Sequence, residues 1–145
     1  MNKEVIIYTD GGSRGNPGIA GAGAYITSKD GTHIKSVSKS LGETTNNEAE
    51  YRAVILGLAS IKNKLGKDSV KELPIEVRMD SELVCKQLNG QYQVKEERLY
   101  QYFIQIHNMR VSEMKNVSFT HIPREQNKEA DKLANDAMDK QETLL

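Results

Sequence analysis

The order of predicted elements indicates an α/β fold built on one mixed sheet. Three strand-like segments come first, and Lys29-Asp30-Gly31, which is typical of a hairpin, joins the second to the third. Helical segments then alternate with two further strands, in the order βββαβααβα. Strands joined by tight turns run antiparallel, whereas strands connected through helices run parallel. We therefore predict a five-stranded sheet, flanked by helices, whose first three strands are antiparallel and whose last two lie parallel to the first.

Five segments have the pattern of strands. The apolar run Val5-Ile6-Ile7 marks the first, and the alternation of Ile75, Val77 and Met79 with polar residues marks the fourth. The predicted strands cover residues 4–10, 21–28, 32–41, 75–80 and 116–122. A glycine-rich turn is expected between the first two strands, because glycine is frequent where a chain reverses.

Four segments are predicted to be helices: residues 46–63, 81–89, 96–113 and the stretch that begins at 126. Three of them, all but 81–89, carry apolar residues at helical spacing. The first is preceded by Thr45-x-x-Glu48, a capping-box pattern, and the second is followed by Gly90, a typical helix end. The polar stretch 63–72 is expected to be a loop.

Length and composition are those of a single globular domain spanning residues 1–145. No apolar run approaches the roughly 18 residues that a membrane span requires, so we expect no membrane insertion. The first strand begins so close to Met1 that no signal peptide is expected, and the single cysteine cannot form an internal disulfide. We therefore expect a cytoplasmic protein. Basic and acidic residues number 20 each, so any affinity for nucleic acid must come from local charge.

Two predicted strands end on a carboxylate. Asp10 ends the first strand, and Asp80 ends the fourth. Turn chemistry before Gly11-Gly12 would explain Asp10, and capping of the next helix would explain Asp80. In a sheet where these two strands are parallel neighbours, however, both side chains lie at the same carboxyl edge, which is where α/β sheets bind ligands.

The first helix carries two glutamates with different expected functions. Glu50 belongs to the stripe that packs on the sheet, because Val54 and Leu58 follow it at helical spacing. Glu48 has structural explanations, as the third residue of the capping box and as a partner for Arg52 one turn later. We therefore predict a functional carboxylate at Glu50 and a structural one at Glu48.

Asp131 is the fourth candidate, because helical spacing places it at the edge of the buried face of the last helix. Asp10, Glu50, Asp80 and Asp131 are thus all predicted near the core, where an uncompensated charge costs several kcal/mol. An all-oxygen ligand set favours Mg²⁺, with Mn²⁺ as the alternative. Such a cluster can hold two ions about 4 Å apart for an in-line phosphoryl displacement, which predicts phosphodiester hydrolysis.

Four motifs, TDGGSRGNPG, TTNNEAEY, MDSELV and HIPREQNKEADKLA, occur in this order over essentially the whole chain, and together they resemble those of the type 1 ribonuclease H family. The resemblance implies a ribonuclease H fold and metal-dependent endonucleolytic cutting of the RNA strand in RNA/DNA hybrids, which leaves 3′-hydroxyl and 5′-phosphate ends. It places the metal-holding acids of the family on Asp10, Glu50, Asp80 and Asp131. In TTNNEAEY the family's glutamate precedes the tyrosine, which agrees with the choice of Glu50.

The resemblance also implies contacts with the substrate, at Gly11, Gly12, Ser13, Asn16, Thr45, Asn46 and Asn47. The two glycines and the serine are expected to approach the RNA strand and to help recognise its 2′-hydroxyls, which distinguish RNA from DNA. The three asparagines match minor-groove contacts of the family, and the threonine matches part of its pocket for a DNA-strand phosphate. Turn and cap functions are the alternative explanation for these asparagines.

One departure concerns the loop before the last acid, where many family members carry a histidine associated with product release. Here that loop is the short stretch PREQN, and Arg124 resembles the arginine of the archaeal-like branch of the family. His121 is the competing candidate. We favour Arg124 as the residue that takes the place of the histidine.

A second departure is that the chain has no counterpart of the basic, tryptophan-bearing handle of some members. Substrate binding is therefore expected to be weaker, or to be spread over residues such as Lys86, Lys95 and Arg98. Only nine residues precede Asp10, so no separate hybrid-binding domain is expected before the fold. With zero net charge, we predict salt-sensitive binding and low processivity.

Two alternative functions stay open at this point. The same fold could cleave double-stranded RNA or RNA–DNA junctions, or it could be a non-catalytic nucleic-acid-binding module. Four acids argue against the binding module, because without metal they repel phosphate. We expect a monomer, and we expect the terminal Leu144 and Leu145 either to fray or to dock on the sheet.

Overall fold

The computed structural model describes residues 4–144, and its centre is a single sheet. The strands are β1 (Val5–Gly15), β2 (Gly18–Ser28), β3 (His33–Thr44), β4 (Ile75–Met79) and β5 (Val117–His121). Their order across the sheet is β3-β2-β1-β4-β5. The first three strands pair antiparallel, whereas β4 pairs parallel with β1 and β5 parallel with β4. The predicted fold class and sheet topology are therefore confirmed.

The helices are α1 (Asn46–Leu65), α2 (Lys67–Val70), α3 (Glu82–Leu88), α4 (Tyr100–Ser112) and α5 (Lys128–Thr143). Short 3₁₀ turns, Glu97–Leu99 and Arg124–Gln126, precede α4 and α5. The four predicted helices are present, but α2 lies in the stretch predicted as a loop, where Val70 is fully buried. No helix within residues 4–144 has the length and apolarity needed to cross a membrane. Leu144 is 79% exposed, and Leu145 lies outside the described residues.

The first hairpin is longer than the sequence suggests, and the predicted glycine-rich turn is wrong. β1 continues through Gly11 and Gly12 and pairs with β2 as far as Gly15 opposite Gly18. The reversal is confined to Asn16-Pro17, which are joined by a cis peptide bond. Glycine here serves close packing of helices on the strands more than chain reversal, and periodicity alone does not distinguish these two uses.

Helices α1 and α5 cover opposite faces of the sheet. A Cβ added to Gly57 of α1 would lie 2.6 Å from Ile7 Cγ2 and 3.5 Å from Ala24 Cβ, so α1 lies on the face of Ile7 and Ala24. A Cβ added to Gly23 would lie 2.6 Å from the carbonyl oxygen of Ala130 in α5. Because consecutive strand residues point to opposite faces, the sheet is sandwiched between these two helices, which both approach the carboxyl end of β1.

Candidate active site

Asp10 and Asp80 lie side by side where β1 and β4 end their pairing. Asp10 is one residue beyond the last β1–β4 pair, and Asp80 is the first residue after β4. Ser81, rather than Asp80, caps α3, because its Oγ accepts a hydrogen bond from the Val84 backbone N–H at 3.3 Å. The capping explanation for Asp80 is therefore wrong, and its carboxylate faces the same cleft as that of Asp10.

Glu50 joins these two acids because α1 approaches β1 closely. Gly11 follows Asp10 in β1, and a Cβ on Gly11 would lie 2.1 Å from the carbonyl oxygen of Ala49. Only glycine fits there, so the first turn of α1 can rest on the strand. As a result, Asp10, Glu50 and Asp80 each present one carboxylate oxygen within 4.8 Å of the others.

Burial and mutual repulsion make these three carboxylates a site for a proton or a cation. The pKa of Asp10 is raised from 3.8 to about 8. Burial is the largest cause, repulsion from Asp80 is the next, and interaction with Asp131 adds to them. Burial, followed by repulsion from Asp10 and Asp80, raises the pKa of Glu50 well above its usual value. The Oε2 atom of Glu50 is buried and has no hydrogen-bond partner among residues 4–144. A divalent cation would compensate this charge, and an all-oxygen ligand set suits Mg²⁺ or Mn²⁺.

Asp131 belongs to the same cleft but differs from the expectation. It lies in the first turn of α5 and is exposed, whereas the sequence places it near the buried face. The neighbouring Ala130 and Ala134 are the residues of this turn that pack on the sheet. Asp131 faces the open cleft instead, close enough to Asp10 to raise the pKa of that residue.

Glu48 has the structural contacts that the sequence suggests. Its backbone N–H donates to Thr45 Oγ1 at 3.3 Å, which caps α1. Its carboxylate lies 3.5 Å from Arg52 Nη1, one turn along the helix. Glu48 is absent from the carboxylate cluster, so the structure separates the two glutamates as predicted.

Four of the implied substrate residues make hydrogen bonds at the start of α1, in two separate groups. Asn46 Oδ1 accepts hydrogen bonds from the backbone N–H of Ser13 at 2.8 Å and from its hydroxyl at 3.2 Å. Asn16 Oδ1 accepts from the backbone N–H of Asn46 at 3.1 Å. Asn47 Nδ2 donates to Glu96 Oε1 at 2.9 Å. These bonds tie the tip of the first hairpin and the segment before α4 to the rim of the cleft.

The cleft has a volume of about 420 Å³ and is lined largely by polar groups. Ten of the expected site residues line it. Eight of these have side chains: Asp10, Ser13, Asn46, Asn47, Glu50, Asp80, Arg124 and Asp131. Gly11 and Gly12 also line it, whereas Asn16 and Thr45 are not among its lining residues. Arg124 therefore reaches the cleft, while His121, at the exposed end of β5, does not line it.

Four residues that line the cleft were not among the predicted site residues: Arg14, Ser81, Asn135 and Met138. Arg14 is held by Asp139 at 2.7 Å, by Glu142, and by Asn135 Oδ1 at 3.1 Å. The spacing of Asn135 and Met138, one and two turns after Asp131, is the signal that could have indicated them.

Asn127 is a further residue that sequence patterns did not reveal. It is 1% exposed, and its Nδ2 donates to the backbone carbonyl of Thr9 at 2.9 Å. Its backbone carbonyl accepts from the N–H of Asp131 at 3.1 Å. Asn127 thus joins the strand that carries Asp10 to the helix that carries Asp131.

Comparison with known proteins is consistent with this geometry. A family model described as reverse transcriptase-like matches residues 8–137. A bifunctional protein of Mycobacterium tuberculosis is 42% identical over 137 residues, which are 94% of this chain and 36% of that protein. The chain thus spans about a third of the length of this relative.

Two other relatives have nearly the same length as this chain. Ribonuclease H of Clostridium botulinum is 32% identical, and the match covers 94% of this chain and 97% of that protein. LC11-RNase H1, solved in complex with an RNA/DNA hybrid, is 47% identical and superimposes with a TM-score of 0.91 over 94% of this chain and 98% of that one.

Proposed function

The chain belongs to the type 1 ribonuclease H family, and on this premise we propose that it is an endoribonuclease that hydrolyses the RNA strand of RNA/DNA hybrids. The observation that carries the proposal is the set of three carboxylates within 4.8 Å, one of which has a buried oxygen without a partner. Such a cluster lowers stability unless a cation compensates it, so its geometry is suited to binding a cation.

Asp10, Glu50, Asp80 and Asp131 would hold two Mg²⁺ ions, with Mn²⁺ as the alternative. The donors fit because they are all hard oxygen ligands, and because burial first and repulsion between the acids second raise the pKa values of Asp10 and Glu50, which a bound cation would oppose. Ions bound there would supply an activated water and stabilisation of the leaving oxygen, which gives 3′-hydroxyl and 5′-phosphate ends. The four side chains would hold these ions at the cleft.

The remaining residues of the cleft would bind and orient the hybrid. Gly11 and Gly12 would let the RNA backbone approach, and the Ser13 hydroxyl, which lines the cleft, would help recognise a ribose 2′-hydroxyl. Asn46 and Asn47 would face the minor groove from the cleft, and Asn16 would meet the groove from the exposed hairpin tip beyond the cleft lining. Thr45 would contribute to binding a DNA-strand phosphate. Arg124 is the one basic residue of the PREQN segment and lines the same cleft as the acids, so we assign it the place of the family's histidine.

We further propose that residues 1–145 are one catalytic domain that acts as a monomer in the cytoplasm. All three clustered carboxylates come from one chain, so the cluster is complete without a second copy. A longer protein that contains this domain would carry its other activities outside these residues.

The experiment that tests the proposal compares four labelled duplexes: RNA/DNA, RNA/RNA, DNA/DNA and a duplex with a single-ribonucleotide junction. Each is incubated with wild type or Asp10→Asn in Mg²⁺, Mn²⁺ or EDTA, and the product ends are identified by their mobility and by ligation. We expect cutting of the RNA strand of the hybrid with 5′-phosphate products, and no cutting in EDTA or by Asp10→Asn.

Other outcomes would change the assignment. Faster cutting of RNA/RNA or of the junction than of the hybrid would favour the alternative substrates. If wild type binds the hybrid but cuts no duplex with either metal, a binding module becomes the better account.

A further inference from the structure

Asn46 and Asn47 are neighbours that both line the cleft, yet their amide groups are held in opposite orientations. The oxygen of Asn46 is engaged by the backbone N–H and hydroxyl of Ser13. The nitrogen of Asn47 is engaged by the carboxylate of Glu96 at 2.9 Å. Within residues 4–144, the Asn46 Nδ2 and the Asn47 Oδ1 have no hydrogen-bond partner.

These orientations follow from the chemistry of the partners. A backbone N–H can only donate, so Asn46 must turn its oxygen toward Ser13. An ionised carboxylate can only accept, so Asn47 must turn its nitrogen toward Glu96. Asn46 therefore offers the cleft a hydrogen-bond donor, whereas Asn47 offers an acceptor.

The minor groove of a duplex distinguishes these two groups. Every base pair presents acceptors there, at purine N3 and pyrimidine O2, so the donor of Asn46 can bind any sequence. The guanine 2-amino group is the one base donor in that groove. A ribose 2′-hydroxyl both donates and accepts, so it does not require a fixed amide orientation. The acceptor of Asn47 is thus matched to guanine.

We propose that Glu96 is a positioning residue that holds Asn47 so that its Oδ1 recognises the amino group of one guanine in the bound hybrid. This inference rests on the proposed function, because it places a hybrid minor groove against Asn47. Glu96 does not line the cleft itself and lies immediately before the 3₁₀ turn Glu97–Leu99. Its carboxylate is therefore available to orient Asn47 without occupying the substrate site.

The test replaces guanine by inosine, which lacks the amino group and still pairs with cytosine. Single inosines are stepped through both strands of one hybrid, and kcat/KM is measured for one cleavage position with Mg²⁺. For wild type, inosine at one position should lower kcat/KM by roughly five- to tenfold, as expected for one lost hydrogen bond. In Glu96→Gln the neutral amide can donate as well as accept, so Asn47 can turn over and the guanine preference should fall below about twofold.

Glu97→Gln is the matched control, because it removes the same charge from the adjacent, exposed residue. Glu97→Gln should keep the full guanine preference. If the preference falls only in Glu96→Gln, the cause is the orientation of Asn47 and not the loss of a negative charge that repels phosphate. A second set of hybrids carries single 2′-deoxy substitutions in the RNA strand, and Glu96→Gln should respond to these as wild type does.

The inference is overturned if wild type cuts the hybrid equally well with inosine at every position, or if Glu96→Gln retains the full preference. It is also overturned if the effect of Glu96→Gln is confined to the 2′-deoxy series. If wild type cuts no hybrid at all, the proposed function itself has failed, an outcome distinct from cutting without guanine preference.

Discussion

Glu48 and Glu50 lie two residues apart on α1 but have opposite environments. Glu48 is held by the N-terminal cap and by Arg52 at 3.5 Å. Glu50 points into the cluster of acids with a buried oxygen that no group within residues 4–144 compensates. The two residues carry the same carboxylate, so their difference in environment should decide their difference in function.

We predict that Glu50→Gln lowers kcat/KM with Mg²⁺ by at least about a hundredfold, because loss of a metal ligand removes several kcal/mol of transition-state stabilisation. Glu48→Gln, the matched variant on the same helix, should stay within about threefold of wild type, since its ion pair contributes only a few tenths of a kcal/mol. Steady-state kinetics on one hybrid, together with calorimetric titration of Mg²⁺, measure both effects. Equal losses in the two variants would contradict the assignment of Glu50.

The pKa of Asp10 predicts how the metal-free protein responds to pH. This pKa is raised from 3.8 to about 8, so the folded chain holds the proton more tightly than the unfolded chain does. The stabilisation is fully present below about pH 4 and is lost as pH rises toward 8, because folding then requires a repelled carboxylate. In EDTA, the free energy of unfolding of wild type should therefore fall between pH 5 and pH 8.

Asp10→Asn should flatten this dependence and be more stable than wild type at pH 8, by on the order of 2 kcal/mol, although it is inactive. Urea unfolding at both pH values in EDTA gives the comparison. Addition of Mg²⁺ should restore wild type at pH 8 and leave the variant almost unchanged, since the cation compensates the same charge as the proton. Identical pH slopes for the two proteins in EDTA would contradict the electrostatic account of the cluster.

At the scale of elements, the site depends on helices that touch strands without intervening side chains. Gly11 admits the first turn of α1, and Gly21 and Gly23 admit α5, where a Cβ would lie 2.6 Å from backbone oxygens of that helix. Asn127 adds a hydrogen bond of 2.9 Å between the start of α5 and β1. These contacts set the separation between the acid of α5 and the acids of β1 and β4.

We predict that Gly23→Ala destabilises the fold by about 1–3 kcal/mol, because its Cβ would lie 2.6 Å from the Ala130 carbonyl oxygen and 2.7 Å from the Ala134 backbone nitrogen. Gly12→Ala is the control, since its Cβ would meet no atom closer than 3.7 Å. Urea unfolding curves of both variants measure the difference, as a shift of the midpoint while the m-value stays unchanged. A midpoint for Gly23→Ala equal to that of Gly12→Ala would mean that α5 does not pack as closely as described.

At the scale of the whole molecule, the chain carries no net charge, with 20 basic and 20 acidic residues. One of the two cleft arginines, Arg14, is already paired with Asp139 and Glu142. We therefore expect attraction for a polyanion to involve Arg124 and the exposed or half-buried residues predicted to replace the missing handle, Lys86, Lys95 and Arg98. Lys86 also lies 5.0 Å from the ring centroid of Tyr92, which limits its freedom.

We predict that hybrid affinity falls roughly 10- to 50-fold between 50 and 200 mM salt, which corresponds to two or three phosphate contacts. The measurement is the Kd of the inactive Asp10→Asn protein for a labelled hybrid over a salt series. The slope of log affinity against log salt concentration reports the number of phosphate contacts. In the double variant Lys95→Gln/Arg98→Gln this slope should fall by the equivalent of about one to two contacts. Lys67→Gln, in α2 beyond the far end of α1, should leave the slope unchanged, and a loss of slope there would place the hybrid elsewhere.

The sequence by itself determined the sheet topology and the order of the elements apart from α2, and it predicted different environments for Glu48 and Glu50. Apolar spacing reports which face of a segment is buried, and the connections between segments restrict which strands can be parallel, so local patterns were sufficient for these features. The resemblance of four motifs to one family agreed with the four acids already indicated by spacing, and it added the residues expected to contact substrate.

Only the tertiary structure decided the hydrogen bonds between side chains and distant parts of the chain. Asn127 with Thr9 and Asn47 with Glu96 are separated by 118 and 49 positions, and no periodicity encodes such pairs. The structure also decided that the glycine-rich stretch continues as a strand and that Asp131 is exposed. The physical reason is that glycine permits turns and close helix packing alike, and that a helix position is buried only where another element covers it.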